Sequence, residues 1–127
     1  MDKKIINTSN APAPIGPYSQ AVASNGMLYV SGQIPLDPAT MELITSGIQD
    51  ETHRVMKSLG AILQEAGISF DHVVKCSIFV ADMGDFGAIN KVYGSYFGEN
   101  PPSRETVEVS TLPKNVNVEI SCIAALN

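Results

Sequence analysis

An arginine and a glutamate in the last quarter of the chain are the residues best suited to chemistry. Arg104 lies near the start of a segment rich in β-branched residues, 102–109, and Glu119 lies inside a second such segment, 116–122. Both segments are typical of β-strands. A guanidinium binds a carboxylate through two parallel charge-assisted hydrogen bonds, and a carboxylate nearby can orient a water or move a proton. The pair is compatible with a site that binds a carboxylate; the residue types alone favour the alternative, solvated surface groups or a surface ion pair worth about 0–1 kcal/mol.

The composition favours one globular domain that spans residues 1–127. The apolar fraction is 44%, which is ordinary for a folded domain. The net charge is −5, with 13 acidic residues against 8 basic ones. This balance disfavours a nucleic-acid partner, because phosphate contacts need clustered lysines and arginines. The chain has neither an apolar run long enough to span a membrane nor the apolar segment of a signal peptide, so we expect a cytoplasmic protein.

The cysteines and histidines do not form a recognisable metal motif. Cys76 and Cys122 lie within strand-like segments, at no spacing typical of zinc ligands or of a disulfide scaffold. We expect both to act as small buried hydrophobic residues. His53 and His72 belong to no carboxylate or cysteine motif, and we expect both to be surface or hydrogen-bonded side chains and not ligands. The sequence therefore predicts no metal site.

The first third of the chain predicts a β-hairpin. Residues 5–14 contain two prolines and are expected to be irregular. Two strand-like runs within 21–31 flank Asn25-Gly26, a dipeptide that favours a tight hairpin turn.

Two helices and three further strands complete the pattern. Apolar residues at three- and four-residue spacing predict a helix over 46–66, with a capping box at Ser46 and Gln49. A strand is expected over 73–81, then a second helix capped by Asp82 and reaching residue 97, then the two final strands. The order β-β-α-β-α-β-β favours an α+β domain, with two helices on one face of one mixed sheet.

The other face of this sheet is expected to lack a cover within the chain. Val73, Phe79 and Ile123 would alternate there with polar groups. A half-apolar exposed face of this kind is a candidate interface, so we expect a homo-oligomer.

The parity of the last two strands gives a sharper hypothesis. If residues 111–115 form a hairpin loop, Arg104 shares a face with residues 120 and 122, whereas Glu119 points the other way. A change of register by one residue reverses this result. On the first register the two side chains meet only where subunits meet, and a structure with both on one pocket wall of a single chain would reject the hypothesis.

A set of short stretches follows in order along nearly the whole chain: 13–20, 30–35, 79–83, 86–90, Tyr93, Tyr96, Phe97, 102–104, 112–114 and 118–120. Together they resemble the RidA/YjgF family of reactive-imine deaminases, also labelled endoribonuclease L-PSP. The resemblance implies a chorismate-mutase-like fold and a homotrimer with ligand clefts between subunits. It also implies hydrolysis of 2-iminobutanoate, 2-iminopropanoate and 2-aminoacrylate to 2-oxo acids and ammonia, without a metal or other cofactor.

The resemblance also assigns roles to individual residues. It implies that Arg104 binds the substrate carboxylate, that Glu119 positions or activates water, and that Tyr18 belongs to the cleft. It places a further set of residues along the substrate: Ser31, Gly32, Asn90 and Thr106.

Two positions depart from the family pattern. Many relatives carry a small residue directly after the arginine and a cysteine two residues after it, where this chain has Glu105 and Thr106. Thr106 excludes thiol chemistry, and strand alternation should turn Glu105 away from Arg104. These departures leave open a carboxylate-binding or regulatory module without turnover. An RNA-cleaving role, sometimes attached to the family, is disfavoured by the acidic balance of the chain.

Overall fold

Six strands form one mixed sheet, and two helices pack on one of its faces, in the computed structural model, which describes all 127 residues. The strands are β1 Lys4–Ile6, β2 Ala21–Ser24, β3 Met27–Gln33, β4 Val73–Val80, β5 Ser103–Glu108 and β6 Val118–Ala125. The helices are α1 Ile48–Glu65 and α2 Phe86–Gly94. The strand order across the sheet is β1-β2-β3-β6-β4-β5. The predicted α+β class and the opening hairpin, β2 to β3, are confirmed, whereas the short strand β1 falls in a segment expected to be irregular.

The predicted hairpin between the last two strands is wrong. β5 pairs in parallel with β4 and ends the sheet, and β6 inserts between β3 and β4, antiparallel to both. The turn signals before β6 do form a tight 3₁₀ turn, Pro113–Asn115. That turn lies in a connection that crosses β4 instead of joining neighbouring strands. The α2 crossover explains the parallel pair, because parallel strands require a long connection.

Burial of the α1 apolar stripe holds the helices to the sheet. Its fully buried side chains pack with those of β3, β4 and β6 in one cluster: Val55, Met56, Leu59, Ile62 and Leu63. The predicted capping box is wrong, because the Ser46 hydroxyl donates to the Asp50 carboxylate at 2.8 Å and Gly47 is the N-cap.

The second helix is shorter than predicted. A 3₁₀ turn, Met83–Asp85, precedes α2, and the Asp82 carboxylate accepts a hydrogen bond from the Gly84 backbone at 2.8 Å. After Gly94 the chain continues in turns whose backbone bonds span three residues. Neither helix is long and apolar enough to cross a membrane.

The face of the sheet away from the helices stays open and half apolar. A register shift at the start of β4 places Val73 in the core and leaves Val74 exposed, so the predicted alternation is wrong at that end. Phe79 and Ile123 are partly exposed on the open face, as expected. Tyr29 pairs with Ile123 and adds a further exposed ring.

Candidate functional site

A cavity of about 290 Å³ opens on the uncovered face of the sheet. Seven residues line it: Ile15, Tyr18, Ser31, Gly32, Ile34, Pro113 and Glu119. They come from the loop before β2, the end of β3 and the segment that follows it, the turn before β6, and β6 itself. Four of the residues that the sequence placed at the site, Tyr18, Ser31, Gly32 and Glu119, therefore meet in one cavity.

A β-bulge shapes the floor of the cavity. Val30 pairs with Cys122 and Gln33 with Ile120, so β3 has one extra residue between these pairs. Such an extra residue bends the strand and re-aims its side chains. Gly32 lies in the bulge, and a Cβ added there would lie 2.8 Å from Cδ and 3.0 Å from Cγ of Glu119. Only glycine lets the Glu119 side chain lie flat against the β3 backbone.

The Glu119 carboxylate is half-buried and has no hydrogen-bond or ion-pair partner within the chain. Burial raises its pKa above the ordinary value of 4.5, because the charged form loses hydration. A carboxylate without protein partners can accept a proton or hold a water against a ligand.

The buried Gln20 side chain fixes the loop that forms the outer wall of the cavity. Gln20 is fully buried, and its amide donates to the carbonyl oxygens of Thr8, Ala11 and Pro12 while its own oxygen accepts from the Thr8 backbone. The loop beyond this anchor carries Tyr18, which is exposed and accepts a hydrogen bond from its own loop at the Ile15 backbone, 3.2 Å away. The ring therefore stands at the mouth of the cavity.

Ser31 and a small second core support the remaining walls. The Ser31 hydroxyl donates to the Ser19 carbonyl at 2.6 Å, which leaves its oxygen free to accept a hydrogen bond from a ligand. Ile34 packs in a buried cluster with three other residues, Leu36, Leu112 and Val116. This cluster holds the Pro113 turn against the end of β3.

Arg104 lies elsewhere, clamped against α2. Its Nη2 donates to Asn90 Oδ1 at 2.5 Å, and its guanidinium carbon lies 5.0 Å from the Tyr93 ring centre and 5.5 Å from that of Phe86. Aromatic rings stabilise a cation at such distances and also limit its freedom. The other guanidinium nitrogens have no partner in the chain. Arg104 is therefore held in place while its remaining N–H donors are free to bind a ligand.

Arg104 and Glu119 occupy opposite faces of the sheet. Arg104 is level with Cys76 of β4, which is buried beneath the helices, whereas Glu119 is level with Phe79 on the open face. Residues three apart in a strand point to opposite sides. The opposite orientation of Arg104 and Glu119 that was predicted for a hairpin is therefore present, although it arises from the pairing of both strands with β4. Arg104 and Glu119 do not share a pocket wall within one chain. The structure therefore does not reject the hypothesis that the two side chains meet only between subunits.

The two positions that depart from the family pattern are both accounted for. Glu105 points to the open face, as expected, where its carboxylate lies 3.1 Å from Lys75 Nζ and its pKa falls below the usual range through bonds to Ser77 and Lys75. Thr106 lies on the same face as Arg104, level with Ile78, and its buried hydroxyl has no partner. Neither residue touches the Glu119 cavity.

Five residues that line the cavity or contact Arg104 were not predicted from the sequence. Ile15, Ile34 and Pro113 line the cavity, and no chemical signature marks them. Phe86 and Tyr93, in contrast, flank Asn90 at four- and three-residue spacing, the signature of one helix face. That signal was present, but its use required knowing that the Arg104 side chain packs against α2. No group of His, Cys, Asp or Glu side chains converges as a metal site.

Comparisons with known proteins agree with this architecture. A family model described as endoribonuclease L-PSP matches residues 8–126. A RutC family protein of Synechocystis is 52% identical, over 99% of this chain and 98% of the relative. A mouse protein named 2-iminobutanoate/2-iminopropanoate deaminase is 45% identical, over 96% of this chain and 90% of its own length. The crystal structure of E. coli TdcF with bound serine superposes with a TM-score of 0.92 at 41% identity, over 96% of this chain and 98% of that one.

Proposed function

The chain belongs to the endoribonuclease L-PSP family, also called RidA/YjgF, and on this premise we propose that it hydrolyses small 2-imino acids to 2-oxo acids and ammonia. The observation that carries the proposal is the pairing of two features: a cavity built around a partner-free, half-buried Glu119 and a clamped arginine with free donors. The 45% identity to a mouse protein named for this activity supports it. The substrates we propose are 2-iminobutanoate and 2-iminopropanoate.

Each proposed step uses a group that this chain supplies. The Arg104 fork binds the substrate carboxylate by two parallel hydrogen bonds. Glu119 takes a proton from a water as the water oxygen bonds to the imine carbon, and the C=N electron pair moves to nitrogen, which receives that proton from Glu119. Glu119 then takes the proton of the new hydroxyl group as the C=O bond forms, and it gives this proton to the nitrogen as the C–N bond breaks and ammonia leaves. Positioned proton transfer of this kind contributes about 10²–10⁴-fold.

We propose that the complete site forms between two copies of the chain. Arg104 is absent from the cavity that holds Glu119, because the two lie on opposite faces of one sheet. A second copy packed on the open face can bring its own Arg104 to that cavity. Tyr29 is exposed on the open face and Phe79 and Ile123 are partly exposed there, and an apolar surface of this kind favours contact with a second copy. We propose a homotrimer, in which cyclic symmetry repeats this contact three times.

A coupled assay tests the proposed activity. A threonine dehydratase releases 2-iminobutanoate, and we expect the protein to accelerate the appearance of 2-oxobutyrate and ammonia. Arg104→Ala should abolish the gain, and Arg104→Lys should raise KM, because an ammonium cannot form the two parallel bonds. Lys91→Gln, which removes an exposed cation from the same helix as Asn90, is the matched control and should keep the full gain.

Two other results would contradict the proposal. An absence of acceleration with every imine supplied would end it. Calorimetric binding of 2-oxobutyrate without turnover would instead indicate a carboxylate-binding module.

A further inference from the structure

A second and larger concavity lies beside helix α1, away from the Glu119 cavity. This groove, which we call the α1 groove, has a volume of about 570 Å³. Its lining is mostly polar and comes from α1, the segment before it and the turn after α2: Asp37, Ile44, Ser46, Asp50, His53, Arg54, Lys57 and Tyr96. The proposed deaminase chemistry uses none of these residues.

Arg54 is the partly buried cation of the groove. It is one of only two arginines in the chain, and it is partly buried. Its Nε is buried without a partner, and its Nη2 has only the Ser58 hydroxyl at a long 3.5 Å. Buried donors are almost always paired in folded proteins, and an unpaired one points to a missing water or ligand. A guanidinium offers five N–H donors, and only one of those of Arg54 has a partner within the chain.

Charges of both signs line the groove without pairing. Arg54 and Lys57 face Asp37 and Asp50, yet the one ion pair within the chain is Lys75 with Glu105, elsewhere. Asp37 accepts hydrogen bonds from the backbone of residues 39 and 40, which, together with the positive charge of Arg54, lower its pKa and keep it ionised. Asp50 accepts only from the Ser46 hydroxyl.

The groove carries two acidic and two basic side chains, and this arrangement of charge restricts the class of ligand that can bind. A phosphate or a plain carboxylate would face two acidic side chains across the groove, and a plain amine would face two cations, so each would meet repulsion. A molecule with one carboxylate and one ammonium can place its carboxylate near the two cations and its ammonium near the two acidic side chains. The Tyr96 hydroxyl is already bonded to His53 Nδ1 at 2.9 Å, so the ring is fixed and forms an apolar wall together with Ile44.

We propose that the α1 groove binds a free α-amino acid with an apolar side chain. The amino-acid carboxylate bonds to Arg54 and Lys57, its ammonium lies between Asp37 and Asp50, and its side chain packs on Ile44 and Tyr96. The groove is a binding site separate from the Glu119 cavity and does not depend on the activity proposed above.

L-leucine and two truncated analogues test the charge requirement. Titration calorimetry on the full-length protein should show leucine binding with a Kd below about 10 mM. 4-Methylpentanoate, which lacks the ammonium, and 3-methylbutylamine, which lacks the carboxylate, should each bind at least roughly tenfold more weakly. Equal binding of leucine and either analogue overturns the proposal, as does the absence of leucine binding.

Matched variants locate the site. Arg54→Gln should raise the Kd for leucine by at least roughly tenfold. Asp37→Asn should also raise it, although the asparagine oxygen can still accept the two backbone bonds and preserve the loop. Arg104→Gln should leave leucine binding unchanged. If Arg104→Gln abolishes binding and Arg54→Gln does not, leucine occupies the proposed catalytic cleft and the α1 groove is empty. Amide NMR spectra of each variant confirm that a loss of binding is not a loss of fold.

Discussion

Replacing Gly32 with alanine tests how closely the β3 bulge positions Glu119. The new methyl group would lie 2.8 Å from Cδ and 3.0 Å from Cγ of Glu119. Ordinary carbon contacts are about 3.5–4.0 Å, so the carboxylate must retreat by roughly 1 Å. A misplacement of that size in a catalytic group costs about 10²-fold in rate. In the proposed site the substrate carboxylate binds to Arg104 of another copy of the chain, whose position does not depend on the β3 bulge, so KM for the imine should change little.

Steady-state kinetics in the dehydratase-coupled assay measure this effect. Gly94→Ala is the matched control, because a Cβ there meets nothing within 4 Å and the residue lies at the end of α2. We expect Gly94→Ala to keep wild-type kcat and Gly32→Ala to lose about 10²-fold in kcat. Urea unfolding should show that Gly32→Ala loses at most about 1–3 kcal/mol, so the enzyme is still folded. A wild-type kcat for Gly32→Ala would refute the placement of Glu119 at the reacting carbon.

Three further predictions concern the groups that surround the site. Because burial raises the Glu119 pKa, Glu119 becomes protonated at a higher pH than an ordinary carboxyl, so the acid limb of kcat/KM should lie above pH 4.5 in a pH–rate profile; an acid limb at or below pH 4.5 would contradict this. Asn90→Ala should raise KM by roughly tenfold because Arg104 loses its fixed acceptor, and Asn90→Asp should also weaken substrate binding by neutralising the guanidinium; initial-rate kinetics distinguish these from wild type. Gln20→Ala should lower the free energy of unfolding by roughly 2–4 kcal/mol in urea titration, because it leaves buried backbone groups unpaired.

The elements of the fold could be predicted from the sequence, but part of their arrangement could not. Periodicity locates the core stripe of α1 because that stripe follows directly from burial. The position of β6 between β3 and β4 depends on which strands gain most from pairing, and no local signal near residues 112–115 records it. The turn residues there fit a hairpin and a strand-crossing connection equally well.

The candidate site shows the same division. Residue types indicate that Arg104 and Glu119 can bind an acid and move a proton, and strand parity separates them onto two faces. The sequence contains the three residues that hold Arg104, which are Phe86, Asn90 and Tyr93. The register of β5 against β4, which brings Arg104 next to Asn90, depends on tertiary structure and could not be predicted from the sequence. The bulge that lets Gly32 support Glu119 is likewise visible only once β3 and β6 are paired.

Subunit mixing tests most directly the claim that one copy supplies Arg104 and another supplies Glu119. Arg104→Ala and Glu119→Gln proteins are each expected to be inactive alone. When the two are co-refolded in equal amounts, random assembly pairs an intact arginine with an intact glutamate at about a quarter of the sites in a cyclic trimer. The account predicts recovery of about a quarter of wild-type activity in the mixture. If mixed oligomers form and no activity returns, the site does not form between subunits and the account is contradicted.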